Sequence, residues 1–217
     1  MTLIREVKKT ISPYMKSRGF LLSGNNYYYI ANDIAYCIAL DAPSGLLYVT
    51  SYIMPLYVPC ETRHYTYGSR IHLIKGINLP PLQKNVDKHK KEEWCASLCK
   101  CIEEKILPFY KQIETPELLV KYVEKKTHLS SRCFSCPEIF IYRLLTFSYL
   151  HLGESEKACK ALNQYRNMLM MNTFFTEAVR WKYLEESVTI ESLIRGDKSI
   201  LMHYVSSIID NTTIVLK

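Results

Sequence analysis

The stretch Tyr27-Tyr28-Tyr29-Ile30-Ala31-Asn32-Asp33-Ile34-Ala35-Tyr36-Cys37-Ile38-Ala39-Leu40 decides the fold class. Two β-branched or aromatic runs, Tyr27 to Ile30 and Ile34 to Leu40, flank Ala31-Asn32-Asp33, whose Asn and Asp tolerate positive φ and suit a tight hairpin. A second turn, Asp41-Ala42-Pro43-Ser44-Gly45, leads into a third run from Leu46 to Met54, so an antiparallel meander is expected. Ala35, Cys37 and Ala39 alternate with Ile34, Tyr36, Ile38 and Leu40, which leaves the second run apolar on both faces. One face of the sheet therefore needs a cover of helices.

Two segments can supply it. Upstream, Leu3, Ile4, Val7, Ile11, Tyr14 and Met15 recur at the spacing of one helical face, with Pro13 predicting a kink or break and Gly19 a left-handed end. Downstream, Val86 to Ile113 carries Trp94, Leu98, Ile102, Ile106 and Phe109 at helical spacing. Between the meander and this helix, Pro55, Pro59, Pro80 and Pro81 mark a loop with at most one short strand, Ile71 to Lys75. The rest reads as helix. Thr115-Pro116-Glu117 opens one, and Ser135-Cys136-Pro137-Glu138 is a capping box for another that reaches Leu152. Two more follow over 173–195 and 197–209, the last capped by Asp197 after Gly196. The expected architecture is α+β: an N-terminal antiparallel meander covered by helices in residues 1–113, then an all-helical bundle region in 114–217.

Tyr149-Leu150-His151-Leu152-Gly153-Glu154-Ser155-Glu156-Lys157-Ala158 resembles one helical hairpin of a tetratricopeptide repeat. The sequence holds no second copy, and a solenoid needs about three units, so a bundle hairpin is expected.

With 217 residues, 48% of them hydrophobic and 23% charged, the chain can bury a core without disulfide staples and is not of disordered composition. No apolar run reaches the length of a spanning helix, and the opening Met1 to Lys9 mixes charge into every turn, unlike a secretory signal. A cytoplasmic location follows, and with it an expectation that the 8 cysteines stay reduced. The net charge of +7 is unevenly placed: residues 1–112 carry +6 and residues 113–217 carry +1. An anionic partner would meet the first half, where Lys84, Lys88, Lys90 and Lys91 form the densest basic run, with His89 among them.

Chemistry-bearing side chains concentrate in Tyr57-Val58-Pro59-Cys60-Glu61-Thr62-Arg63-His64-Tyr65-Thr66-Tyr67-Gly68-Ser69-Arg70. Tyr57, Glu61, Arg63, His64, Tyr65, Tyr67 and Arg70 are the candidate binding residues, because Arg and Tyr bury large area at low rotamer cost and Arg forks onto carboxylates or phosphates. Cys60 and His64 are a possible nucleophile and base, without an assignable third group. Cys133 and Cys136 would sit at a helix N-terminus, but no parallel βαβ unit surrounds them. For zinc, Cys133 and Cys136 would have to be joined by Cys95 and Cys99, with Cys101 or His128 nearby in sequence, and neither cluster has the compact spacing of a knuckle. No phosphate-binding glycine loop, HExxH, GxSxG or calcium loop occurs, so no catalytic residue, metal or cofactor is assigned.

The opening helix ending Ser17-Arg18-Gly19-Phe20, the hairpin beginning Gly24-Asn25-Asn26-Tyr27-Tyr28 and the strand leading to Pro55-Leu56-Tyr57-Val58-Pro59 resemble the bacterial domain of unknown function 4304 family. The resemblance covers roughly residues 1–110. It implies an α+β fold and a cytoplasmic bacterial protein, and it carries over no site residue. The expected function is binding to another protein through the 57–70 loop, conceivably as an immunity protein. The competing expectation is a nucleic-acid or phosphate-ligand binder using the basic N-terminal half, or a cofactor-free enzyme using the same loop.

Overall fold

In the computed structural model, which describes residues 2–60, 67–126, 137–173 and 175–216, the hairpin forms where the sequence places it. Strand β2 (Asn26–Ala31) pairs antiparallel with β3 (Ile34–Asp41), and Tyr29 stands opposite Tyr36. Asn32 and Asp33 take φ of 50° and 58°. Positive φ at both central residues is the turn whose twist matches that of the flanking strands. The meander extends to the order β1-β2-β3-β4-β5, with β1 (Leu21–Ser23), β4 (Leu46–Pro55) and β5 (Tyr67–Arg70), while β6 (Leu82–Gln83) pairs with the start of β4. The short strands β1, β5 and β6 have too few residues to show a period. At Ile71–Leu73, where a strand was the expectation, the chain makes a single 3₁₀ turn instead.

The described residues fall into two compact units, one built from those of 2–54 and 67–115, the other from 55–60, 116–126 and 137–216. The fold is α+β, with an antiparallel sheet and helices in the first unit and helices throughout the C-terminal half.

In the sheet unit, helix α1 (Leu3–Ser17) buries Leu3, Val7, Ile11 and Met15, and the Thr2 hydroxyl caps its start by accepting from the Arg5 N–H. It runs through Pro13 without a break. Pro13 is exposed, so the carbonyl it leaves without a helical donor can turn to water while Ile11 and Met15 stay buried. Gly19, at φ 83°, closes the helix, and the Phe20 N–H returns to the Met15 carbonyl at 3.0 Å. Helix α2 (Lys88–Cys101), capped by Asp87, continues through a π turn at Ile102–Ile106 into α3 (Leu107–Gln112). Pro108 has no N–H for the carbonyl four residues earlier, which accounts for the wide turn just before it.

Tyr27, Tyr29 and Tyr36 of the meander point to these helices. Tyr27 shares a 2.8 Å hydrogen bond with Ser12 of α1, and Tyr36 donates to the Ile113 carbonyl at 3.0 Å. Tyr110 of α3 is fully buried, donates to the Cys37 carbonyl at 2.8 Å and lies 2.7 Å from Ser51 Oγ. Its ring completes a cluster in which Phe20 meets Tyr29 edge-on at 4.9 Å, Tyr29 stacks on Tyr36 at 4.8 Å, and Tyr36 meets Tyr110 at 4.9 Å.

Burial pushes the Tyr29 phenol up to about 12 and the Tyr110 phenol well above its ordinary value. Because the folded-state values exceed the unfolded ones, both phenols add stability that is complete below pH about 10 and is lost progressively as pH climbs towards the folded values. Urea midpoints at pH 8 and 11 should therefore differ, with the lower at pH 11. An unchanged midpoint would refute the claim that these phenols are held neutral.

Gly68 of β5 has no room for a side chain. A Cβ there would lie 2.4 Å from Tyr52 Cβ and 2.7 Å from the Ser51 carbonyl oxygen. Gly68→Ala is expected to cost about 1–3 kcal/mol by overpacking, measured by urea denaturation, whereas Gly76→Ala meets no neighbour within 4 Å and is strained only by its positive φ.

The helical unit comprises α4 (Pro116–Lys126), α5 (Glu138–His151), α6 (Ser155–Met171), α7 (Glu177–Arg195) and α8 (Lys198–Leu216). Every residue of α5 from Arg143 to Leu150 is buried, so it is the central helix of the unit. It turns into α6 at Gly153, φ 73°, with the Glu154 N–H returning to the Tyr149 carbonyl at 2.8 Å. Helix α8 passes the expected Ile209 and ends at Leu216, because Leu201, Val205, Ile208, Thr212 and Leu216 keep one face buried to its end. The capping box at Ser135 and Cys136 lies outside the described residues. Among the described residues no helix is long and apolar enough to cross a membrane.

Candidate functional site

Glu61, Arg63, His64 and Tyr65, the centre of the loop that the sequence singles out, lie outside the described residues, as do His128, Cys133 and Cys136. The rest of that loop divides between the two units. Tyr57 is a core residue of the helical unit, stacked on His151 at 4.5 Å and accepting from Ser148 Oγ at 3.3 Å. Tyr67 is buried in β5 opposite Ile53. Arg70 is exposed at the end of β5, with its guanidinium 4.1 Å from the centre of the Tyr48 ring.

Lys88, His89, Lys90 and Lys91 of the basic run each face a carboxylate, on α2, at its cap or on α1. Lys88 faces Glu92 at 3.8 Å, His89 faces Glu93 at 3.3 Å, and Lys90 faces Asp87 at 3.8 Å. Lys91 forms an ion pair with Glu6 that ties α1 to α2, and that contact holds the Glu6 carboxyl below its ordinary range. Lys84 is exposed beyond β6, beside Thr2, Arg5 and Gly45.

Cys95 and Cys99 share one face of α2, as their spacing predicts, but burial raises both thiols, Cys95 to about 11. Burial moves Cys101 the same way, also to about 11. An attacking thiolate needs the opposite shift. Among the described residues no group of three His, Cys, Asp or Glu side chains is placed to hold a metal ion.

One exposed apolar feature of the helical unit lies on α7. Helix α7 is apolar on two opposite faces. Tyr183 and Ile190 turn inward: Ile190 is fully buried, and Tyr183 packs with Phe140 and Phe175. Trp181, Leu184 and Val188 lie at i, i+3 and i+7 on the other side, where Trp181 is 58% exposed and Val188 61% exposed. With Glu185 and Thr189 they line a shallow concavity of about 320 Å³. Two carboxylates frame it, Glu177, which accepts from the indole N–H at 3.4 Å, and Glu185. Helical periodicity alone reads Trp181, Leu184 and Val188 as core, because a helix apolar all round is ordinarily a buried one. Only accessibility separates the two faces.

The inward face is held by charge as well as packing. Arg143 of α5 is almost wholly buried and forks onto Glu186 of α7, with Nε and Nη2 donating at 2.8 and 2.6 Å. Its Nη2 also donates to the Pro59 carbonyl at 3.1 Å, and its guanidinium lies 5.3 and 5.5 Å from the Phe147 and Tyr183 rings. Burial by itself would lower the Arg143 pKa, and the hydrogen bonds and charge of Glu186 outweigh it, so the group is raised above its ordinary value. Arg166 of α6 adds a single ion pair through Nη1 to Glu191 of α7, while its Nε donates to Ser187 Oγ at 2.9 Å and its Nη2 to the Ser187 carbonyl at 3.0 Å. These contacts fix the rotation of α7 and hence which of its apolar faces turns outward.

No protein-family model, no curated protein and no solved structure matches this chain.

Proposed function

We propose that this protein acts by binding another protein, and that the outward face of α7 is its docking surface. The observation that carries the reading is the pair of exposed side chains Trp181 and Val188, with half-buried Leu184 between them, on a helix whose opposite face is already packed. Leaving an indole and a valine in water forgoes their burial free energy, and tryptophan is among the residues that dominate interface energetics. The charges on this stripe, Glu177 and Glu185, are both acidic in a chain of net charge +7. The partner surface that fits is an apolar ridge or helix face flanked by Lys or Arg.

The alternative reading, phosphate or nucleic-acid contact through the N-terminal basic run, has less support, since Lys88, Lys90 and Lys91 each face a carboxylate. Capture of a partner from the native host decides between them. Trp181→Ala is expected to weaken the purified complex about thirtyfold or more, and Glu177→Lys with Glu185→Lys to slow its association. A partner retained equally by all variants overturns the docking surface, and self-association lost in Trp181→Ala would make the partner a second copy. Retention on heparin that collapses steeply with salt and depends on Lys84 would support the phosphate reading instead.

A further inference from the structure

We infer that the sheet face formed by Tyr48 and Thr50 of β4, Arg70 of β5 and His72 of the turn that follows is a binding site for the phosphate monoester of a small molecule. Alternation along β4 places these residues. Leu47, Val49, Ser51 and Ile53 are buried, with Ser51 Oγ 2.7 Å from the Tyr110 hydroxyl, so Tyr48 and Thr50 stand on the face turned away from α3. Arg70 is the partner of Thr50 in the β4–β5 ladder and shares that face. The Tyr48 ring holds the two cationic candidates together: the Arg70 guanidinium lies 4.1 Å from its centre, and the centre of the His72 ring lies 5.4 Å from it. All four residues belong to the sheet unit, and Arg70 and Tyr48 sit on strands, which fix side chains more closely than loops do.

What marks this face is a set of donors without acceptors. Among the described residues, the side chains of Thr50, Arg70 and His72 have no hydrogen-bond or ion-pair partner. Residues 42–60 and 67–86 contain no Asp or Glu, and Asp41, at the end of β3, is the only acid on the six strands. The guanidinium is thus held by a ring face, and its N–H groups are left for a ligand. A planar fork, a hydroxyl and an imidazole offer more donors than the two oxygens of a carboxylate take up, and they match the three terminal oxygens and double charge of a phosphate monoester. The paired lysines of α2 take no part. Burial, and next the Arg70 charge, hold the His72 imidazole below its ordinary value, and a dianion beside it would act in the opposite direction.

The probe is phenyl phosphate at pH about 7.5, where it is a dianion, titrated into the full chain and followed by NMR shifts. Methyl phenyl phosphate, the matched diester with one charge, is the control. The expected result is saturable binding that perturbs the amides of Thr50, Arg70 and His72, and a His72 imidazole that titrates at higher pH with the ligand bound. Arg70→Gln should weaken binding about tenfold or more, because a charge-assisted fork is lost, and Thr50→Val should weaken it by a smaller factor. Arg70 is exposed and rests only on a ring face, so Arg70→Gln keeps the fold, as an unchanged urea midpoint would confirm. Absence of saturable binding overturns the inference, as does equal affinity of Arg70→Gln. A diester that binds equally well also overturns it, and points to a nucleic-acid backbone instead. The α7 reading fails or stands separately, because Trp181→Ala should leave phenyl phosphate binding unchanged.

Discussion

Replacing Arg143 by methionine is expected to destabilise the helical unit by about 3–5 kcal/mol, the cost of breaking a buried ion pair by removing one partner. The Arg143 side chain is 8% exposed and Glu186 18% exposed, so truncation strands a carboxylate with little water to replace the two donors it loses. The Pro59 carbonyl loses its Nη2 donor in the same step. Arg143→Lys should also fail, because a single ammonium cannot donate to both Glu186 oxygens and to Pro59 from one planar fork. The double variant Arg143→Met with Glu186→Leu should be less destabilised than Arg143→Met alone, since no charge is then left uncompensated. Urea denaturation of wild type, Arg143→Met, Glu186→Leu and the double variant gives the cycle. Equal stability of wild type and Arg143→Met would show that the pair contributes nothing and that packing alone sets the rotation of α7.

Tyr110 carries the second large effect. Tyr110→Ala should cost about 3–5 kcal/mol, because a fully buried aromatic ring at the centre of the Tyr29, Tyr36 and Tyr110 cluster leaves a cavity. Tyr110→Phe isolates the hydroxyl. It keeps the ring but removes the partner of Ser51 Oγ and the donor to the Cys37 carbonyl, at an expected cost of about 1–3 kcal/mol. Adding Ser51→Ala to Tyr110→Phe should cost less than the two single changes added together, because the buried serine then has no orphaned group. A Tyr110→Phe protein as stable as the parent would mean that water replaces the phenol, contrary to the fully buried geometry.

Much of the fold is legible in the residues. Asn32 and Asp33 specify the hairpin because few residues accept positive φ in succession. The spacing of Leu3, Val7, Ile11 and Met15 gives the face that α1 buries. The strands β1, β5 and β6 escape such a reading, since two to four residues contain no period and their pairing is set by the neighbouring strand. The 57–70 segment is legible only in part, and its residues 61–66 lie outside the described ones. Composition marks it as rich in recognition side chains, but Tyr57 and Tyr67 are drawn into separate cores by their neighbours, and Arg70 rests on Tyr48. In the basic run, a charge count does not show that Lys91 meets Glu6 across two helices distant in sequence.

The sequence by itself determines the class: a meander with helices near it, then helices to the end, because turn chemistry and apolar period act over a few residues and need no distant partner. Which apolar face of α7 reaches solvent, and which tyrosines do, is decided only in the tertiary structure. Both faces of α7 carry apolar residues, and the fork of Arg143 onto Glu186 and the ion pair of Arg166 with Glu191 choose between them. Such a choice rests on partners 43 and 25 residues away along the chain, and local pattern has no access to them.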